Sequence, residues 1–370
     1  MSTKRVLAAV SGGVDSSVAV HLLRQQGYEV EGVILEFSPA HRAAVESARV
    51  IAEQMKMPLH VIECHREFEE NVILPFCREY REGRTPNPCI LCNPSTKFAL
   101  ICKAAAELGF DFVATGHYAR VEHQPGGTAV LRKSDCLERD QSYMLYRLTQ
   151  QQLSMLLLPL EGLEKTQVRQ IAHQLGLACA DAPDSQEICW LPDGDYASFI
   201  EQKLGSCPAG EFISPDGTVC GQHKGLLHYT VGQRKHLGVA LGYPVFIRSI
   251  DPQSNRIYLA RTGEEYAQGV LLRDCVIQPN PLLALHQPAR TQVKVRSRAP
   301  MRLPPSPCCR MAVPMSCLTH RSALRLPGSR ASSMTVTSFG GVYSKSSFFL
   351  KPKVNRTAKL LSCFFIVTKP

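Results

Sequence analysis

The chain of 370 residues contains no run of 18 or more apolar residues, so it offers no helix able to span a bilayer, and no membrane partner is expected. It has neither a Gly-x-x-x-x-Gly-Lys-Ser/Thr P-loop nor a Gly-x-Gly-x-x-Gly fingerprint, which removes two familiar glycine-rich nucleotide sites. Within residues 1–300 no second Cys-x-x-Cys accompanies Cys89 and Cys92, so a four-cysteine zinc site cannot be assembled from paired motifs. Internal repeats are absent, and tryptophan occurs once. Residues 301–370 hold no Asp or Glu at all, against 11 Lys and Arg. The first 300 residues therefore balance 31 basic against 32 acidic groups, and the net charge of +10 belongs to the tail. Overall basicity gives no argument for nucleic-acid binding; local motifs must carry it. Met1–Arg5 runs straight into the first apolar strand and leaves no room for an export leader. The 15 cysteines are accordingly expected as thiols in a reducing, cytoplasmic setting rather than as a disulfide scaffold.

What is present is ample for real cores, with 44% apolar residues. Apolar strands alternate with amphipathic helices from Arg5 to Ala114. Strands are expected at Arg5–Val10, Val30–Leu35, Leu59–Ile62 and Phe110–Ala114, with helices at Ser17–Gln26, Arg42–Met55, Glu67–Glu82 and Lys97–Leu108. Such alternation implies right-handed βαβ units and a parallel sheet, with ligands at the carboxyl ends of its strands. Beyond Pro183, Gly, Pro and Asp punctuate short segments such as Val245–Ile250 and Arg256–Ala260, which predicts a small mixed or β-rich module. Another β segment begins near Gly269 and reaches Thr291–Arg298; after Met301 helix and strand periodicity stop.

Ser11-Gly12-Gly13-Val14-Asp15-Ser16-Ser17 lies between the first strand and the first helix. A strand, a tight glycine turn and a helix start aim backbone N–H groups and a positive dipole end at one point. The glycines permit close approach of a ligand, the serines add hydroxyl donors, and Asp15 can hold the turn or a Mg²⁺ ion. The ligand implied is a phosphate group. The string resembles the PP-loop of the ATP pyrophosphatase superfamily, whose members cleave ATP to AMP and pyrophosphate to activate a substrate oxygen.

Two further placements carry chemistry. Pro86-Asn87-Pro88-Cys89-Ile90-Leu91-Cys92-Asn93 reads as a proline-stiffened loop whose Cys-x-x-Cys is a zinc half-site, a redox pair or two packed thiols. Asp184-Ser185-Gln186-Glu187-Ile188-Cys189 offers a third thiol after a polar turn. Cys64, Cys77, Cys102, Cys136, Cys179, Cys207, Cys220 and Cys275 read as small buried hydrophobes. His117, in Thr115-Gly116-His117-Tyr118, is either a base or a positioning group.

These motifs, together with Gly83–Pro88, Asp140-Gln141-Ser142-Tyr143, Glu164-Lys165, Val168-Arg169 and His228–Lys235, occur in an order that resembles the tRNA-specific 2-thiouridylase family over about Lys4–Pro300. The resemblance implies an α/β chain: a PP-loop (adenine nucleotide alpha hydrolase-like) domain over 1–191, a central tRNA-binding module over 192–268 and the start of a C-terminal β-barrel over 269–300. It implies ATP, with Mg²⁺, on Ala9, Val10, Ser11, Gly12, Gly13, Val14, Asp15, Ser16, Leu35 and Gly116. It implies tRNA on Asn87, Pro88, Cys89, Arg139, Asp140, Gln141, Arg296 and Ser297. Cys189 would carry a persulfide delivered by a cysteine desulfurase or sulfur-relay protein. Cys92 would assist as nucleophile and reductant, ending in a transient Cys92–Cys189 disulfide. Such thiols are expected exposed, beside cationic or helix-terminal groups.

The chain departs from the family in three places. Cys89 stands where many members carry Asp; it either replaces that acid or joins Cys92 and Cys189 as a third ligand of a [4Fe–4S] cluster. Iron and sulfide analysis after anaerobic purification separates the two. The loop Leu35–Pro39 is short, and resemblance ends after Pro300. Two other readings stand beside the main one, a different PP-loop adenylating enzyme and a non-catalytic copy that binds ATP or tRNA. The basic tail 301–370 is expected to be poorly ordered, with Arg302–Phe339 being family sequence read in a shifted frame. Moving each codon back one base lets Cys308–Ala312 read Leu-Leu-Pro-Asp-Gly and Ser333–Thr337 read Phe-Tyr-Asp-Gly-Asp, strings that resemble the family's closing barrel. Resequencing the gene tests this: codons unable to encode those strings in the shifted phase would sink it.

Overall fold

The computed structural model describes residues 3–184, 188–191, 193–262 and 264, together with four short strands farther along the chain. Two compact units emerge. One comprises Met1–Leu74 with Pro88–Gly194, and the other Pro75–Asn87 with Asp195–Pro370.

In the first unit β1 (Arg5–Ala9), β2 (Glu29–Glu36), β3 (Leu59–Glu63), β4 (Phe112–Ala114) and β7 (Leu156–Leu157) form one sheet in the order β3-β2-β1-β4-β7. All its pairings are parallel, with Val6 opposite Val30 on one side and Leu7 opposite Val113 on the other. The central strands are near-continuous apolar runs because helices cover both faces. Val14, Val18 and Leu23 of α1 (Val14–Gln25), Val45, Ala48 and Ile51 of α2 (Arg42–Gln54), and Val168 and Ala172 of α9 (Lys165–Gln174) join Val6, Ala8 and Val10 in one buried core. Each such side chain contributes roughly 1.5–3 kcal/mol by leaving water. The chain leaves β1 in opposite directions toward β2 and β4, so the switch point of the sheet lies between β1 and β4.

The expected helix over 67–82 is a continuous run of α3 (His65–Phe68), a π turn (Glu69–Ile73) and α4 (Leu74–Arg81). The proline-stiffened loop is in part a helix, α5 (Pro88–Cys92), followed by a π turn (Asn93–Lys97) and α6 (Phe98–Leu108). Proline at the first helical position gives up no intrahelical hydrogen bond, which is why Pro88 starts α5 rather than preventing it. Also unanticipated are the hairpin β5 (Ala119–His123) and β6 (Ala129–Lys133), and the short helices α7 (Ser142–Leu145) and α8 (Gln150–Met155).

In the second unit α10 (Tyr196–Leu204) precedes a mixed sheet in the order β10-β11-β8-β9, built from β8 (Gly210–Ile213), β9 (Val219–His223), β10 (Val245–Asp251) and β11 (Arg256–Arg261). Phe212, Leu226, Tyr229, Val231, Leu237, Ile247 and Ile257 form its core. Farther on, β12 (Val276–Pro279) pairs antiparallel with β14 (Met334–Thr337), and β13 (Gln292–Lys294) with β15 (Phe364–Ile366). The last two partners fall in the tail, where no strand pattern was expected; both are β-branched or aromatic segments that favour strands. The rest of the shifted-frame stretch lies outside the described residues.

His223 is 1% exposed at the end of β9. Its Nδ1 accepts from the Gly225 N–H (3.2 Å) and its Nε2 donates to the Asn255 carbonyl (3.1 Å), an assignment that requires the neutral ring. Burial holds its pKa below the ordinary value. A histidine depressed in the folded state favours the native chain above the unfolded pKa and withdraws that stability as pH falls. The melting temperature is therefore expected to drop once pH falls below about 6.5, the ordinary histidine value. A Tm unchanged from pH 8 to pH 5 would contradict this account.

Candidate active site

β1 ends at Ala9, and Val10–Gly13 turn into α1, with Gly13 as an extended N-cap that carries no side-chain cap. The first N–H groups of α1 have no acceptor within the helix and sit at its positive end. Ser16 and Ser17 donate to the Gly13 carbonyl (3.0 and 2.9 Å), and the Ser11 N–H donates to Ser16 Oγ (3.2 Å), so the loop braces itself. Gly12 has φ +76°, and a Cβ there would lie 2.5 Å from Ser47 Cβ. A Cβ on Gly116 would lie 2.7 Å from backbone atoms of Asp15 and Ser16, so only glycine lets the loop after β4 rest against the PP-loop. Leu35 is buried near the end of β2. The predicted nucleotide residues thus converge at the carboxyl ends of β1, β2 and β4, beside the switch point.

Asp15, in the first turn of α1, is held by three bonds. Lys165 Nζ reaches both its oxygens (2.7 and 2.8 Å), and the Tyr118 hydroxyl donates to Oδ1 (2.7 Å). The same ammonium meets Asp184 at 2.9 Å, and Asp184 also takes Arg139 (2.9 Å) and Arg169 (3.0 Å). Burial alone would raise the Asp184 pKa, but the hydrogen bonds from Lys165 and Arg139 outweigh it and hold the carboxyl below its usual range. Lys165, in the Glu164-Lys165 motif, has partners far away in the chain, so the sequence alone assigns it no role.

Cys89 and Cys92 sit three residues apart on α5, on one helix face. Both line a cleft together with Pro88, Lys97, His117 and Cys189. Phe37, Phe68, Val72 and Trp190 form its apolar wall. Cys189 is exposed as expected, but Cys92 is buried, against the expectation of two exposed thiols. Desolvation within the cleft pushes Cys92 up to about 12 and, although the Cys189 residue is exposed overall, pushes its thiol up to about 11, while the Lys97 ammonium pulls both down. Lys97 is the cation that sequence reasoning required beside the thiols but could not choose. His117 bonds Thr115 Oγ1 through Nδ1 (2.7 Å) and is pushed down to about 3, first by burial and then by Lys97. So weak a base favours the positioning role over proton abstraction near neutral pH.

Of the residues expected on tRNA, Arg139 is half-exposed and paired with Asp184, and Gln141 Oε1 accepts from the Tyr118 N–H (2.9 Å). Asp140 is buried, with its carboxylate taking Ser134 N–H, Ser142 N–H and Ser142 Oγ, so it shapes the loop that displays Arg139. Asn87 is half-buried just before α5. Arg296, Ser297 and Cys275 lie outside the described residues, as do Ser185–Glu187. Among the other cysteines, Cys64, Cys77 and Cys179 are buried, while Cys102, Cys136, Cys207 and Cys220 are only partly so.

Residues 4–193 match the family model described as tRNA methyl transferase HUP domain, and residues 197–261 that described as tRNA methyl transferase PRC-barrel domain. The tRNA-specific 2-thiouridylase MnmA of Clostridioides difficile (strain 630) is 41% identical over 309 residues, covering 80% of this chain and 85% of its own. That of Halothermothrix orenii is 40% identical over 309 residues, covering 80% of this chain and 86% of its own. The solved structure of NMN synthetase from Francisella tularensis covers 55% of this chain and 72% of its own at 20% identity, with a TM-score of 0.35. Two adjoining domain matches and some 40% identity across four-fifths of the chain agree with the PP-loop and the paired thiols: the chain belongs to the tRNA-specific 2-thiouridylase family, a family of tRNA-modifying enzymes.

Proposed function

We propose that this chain uses ATP to 2-thiolate the wobble uridine of tRNA. The observation that carries the reading is the meeting of Cys92 and Cys189, distant in sequence, in one cleft of the PP-loop unit. ATP is a substrate, and the residues suit it: the orphan N–H groups of α1 face the phosphates, and Gly12 and Gly116 keep the cradle free of Cβ atoms. Asp15 would hold Mg²⁺, whose charge would balance that of the departing pyrophosphate. Attack of the uridine C2 oxygen on the α-phosphorus forms the adenylate and releases pyrophosphate. A persulfide on Cys189 then attacks C2 through its terminal sulfur, and AMP leaves with the C2–O bonding pair. Cys92, as thiolate, attacks Cys189 Sγ; the S–S bond to the base breaks, the thiocarbonyl forms, and a Cys92–Cys189 disulfide remains for an external thiol to reduce. Desolvation holds both thiols above their ordinary pKa, and Lys97 opposes part of that shift.

An extruded base would enter this cleft, which Pro88 and Cys89 help to line, with Asn87 adjacent in the chain. Among the described residues no group of three His, Cys, Asp or Glu is placed to hold a metal ion, and no step is routed through a [4Fe–4S] cluster. A cysteine desulfurase or sulfur-relay protein supplies the persulfide sulfur. No helix among the described residues is long and apolar enough to cross a membrane, and we place the reaction in the cytoplasm with its tRNA. We read the functional division as 1–191 for ATP and sulfur chemistry, 192–268 for tRNA, 269–300 for the start of a barrel and 301–370 for the shifted-frame tail, with Pro75–Asn87 of the first stretch clustering with the second compact unit. The test is mass spectrometry of tRNA nucleosides from a thiouridine-deficient host carrying this gene. Return of 2-thiouridine is expected; its absence, with the protein expressed and folded, would overturn the reading.

A further inference from the structure

Lys165 stands at the first position of α9 and Arg169 one turn further on, so the two lie on one face of that helix. Val168 and Ala172 anchor α9 in the core of the first unit, so a rearrangement here is one of side chains rather than of the helix. An ammonium has three N–H donors, and those of Lys165 are all used. Two go to the oxygens of Asp15 (2.7 and 2.8 Å) and one to Asp184 Oδ1 (2.9 Å). With the Tyr118 hydroxyl also on Oδ1 (2.7 Å), both oxygens of Asp15 are covered. A second cation approaching Asp15 meets the ammonium already on both of them, and like charges that close repel.

Asp184 is the other anchor of Lys165, and it holds two further cations. Arg169 shares Oδ1 (3.0 Å), and Arg139 takes Oδ2 (2.9 Å). The three cations are not equally bound. Arg169 also donates to the Ala180 and Ala182 carbonyls (2.9 and 3.0 Å). Arg139 reaches Asp184 through a single nitrogen, from a side chain that is 45% exposed, whereas that of Lys165 is 10% exposed. Arg139 is therefore the member that an outside anion can draw off. Lys165 must keep a carboxylate, because an unpaired ammonium at that depth is costly. Two carboxylates thus compete for one ammonium. With Arg139 in place Asp184 is well neutralised, and Lys165 gives Asp15 two of its three bonds. With Arg139 drawn off, the charge left on Asp184 pulls the ammonium across and uncovers Asp15.

We propose that Lys165 is a positioning residue that keeps Asp15 closed to Mg²⁺ in the resting chain and passes to Asp184 when the RNA substrate engages Arg139, so that tRNA and Mg²⁺-ATP promote each other's binding. The inference rests on the tRNA reading above and adds regulation to the same site. Its two states differ in one side-chain swing, and the coupling is reciprocal: each ligand raises the affinity of the other by the same factor.

The experiment is calorimetry of a non-hydrolysable ATP analogue with Mg²⁺ on the full chain, with and without saturating tRNA. In the wild type tRNA is expected to tighten the analogue about tenfold, a common size for such coupling. EDTA in place of Mg²⁺ should shrink that factor toward one. Arg139→Gln should bind the analogue more tightly than wild type without tRNA and gain little from tRNA, a gain of affinity that a merely structural role would not produce. Arg139→Lys should restore part of the coupling. If the wild type binds tRNA and the analogue with no mutual effect, or if Arg139→Gln keeps wild-type affinity and coupling, the relay is wrong while the thiolation reading stands. If the wild-type chain binds no tRNA, both fall together.

Discussion

Serine at Cys92, or at Cys189, abolishes tRNA thiolation and leaves ATP binding at the wild-type level: this is the expected result of the two single substitutions. In the proposed mechanism the two chemistries are separated within the first unit: phosphates would bind at the Ser11–Ser17 loop and sulfur would be handled in the cleft beside α5. A serine oxygen can neither carry a persulfide nor resolve one, so the thiolation rate should fall by about 10³ or more, the scale seen when a nucleophile is removed. Nucleoside mass spectrometry reads the first effect and calorimetry the second. Desolvation raises both thiols, to about 12 at Cys92 and about 11 at Cys189, so these two sites, followed by peptide mass spectrometry, should alkylate slowly near pH 7 and faster as pH rises. Near-normal thiolation by Cys189→Ser, given a persulfide donor, would show that the sulfur travels by another route.

Asp15→Ala should cripple adenylation without unfolding the chain. The carboxylate stands at the first turn of α1, where the phosphates are expected, and removing it takes away the group that would hold Mg²⁺ and aligns Lys165. Losing a preorganised electrostatic partner of a reacting phosphate lowers rates by about 10²–10³. The fold should survive, because Lys165, almost fully buried, still has Asp184 at 2.9 Å and is not left as an unpaired interior charge. Pyrophosphate release in the presence of tRNA is the measurement, and a rate within twofold of wild type would remove Asp15 from the mechanism.

The legible part of this molecule is the part dictated by local pattern. The strands at Val6, Val33 and Val113 were readable because both faces of a covered parallel sheet demand apolar residues. The PP-loop was readable because a phosphate cradle needs its glycines and its helix start in one contiguous string. Helix α5 was not, since five residues make too few turns to show a period and the prolines around it resemble a loop signal. The hairpin β5–β6 did leave a trace, in Gly126 and Gly127, both with positive φ, between two alternating runs. Least legible were the side chains whose partners are far away in sequence. Nothing near Lys165 says that it will bridge Asp15 and Asp184, and nothing near Lys97 says that Cys189 will lie across the same cleft. Proximity of that sort is produced by the fold as a whole.

Trp190, the sole tryptophan of the chain, adjoins Cys189, lines the cleft and meets Phe68 edge-on at 6.3 Å between ring centres. Intrinsic fluorescence from this protein consequently has one indole source, and that source stands in the wall of the cleft proposed for sulfur transfer. Its emission colour follows the local polarity, and a base stacked nearby quenches it. An unlabelled sample can thus report, in real time and from a single known point, when the cleft fills, when it empties and whether nucleotide and RNA enter in a fixed sequence.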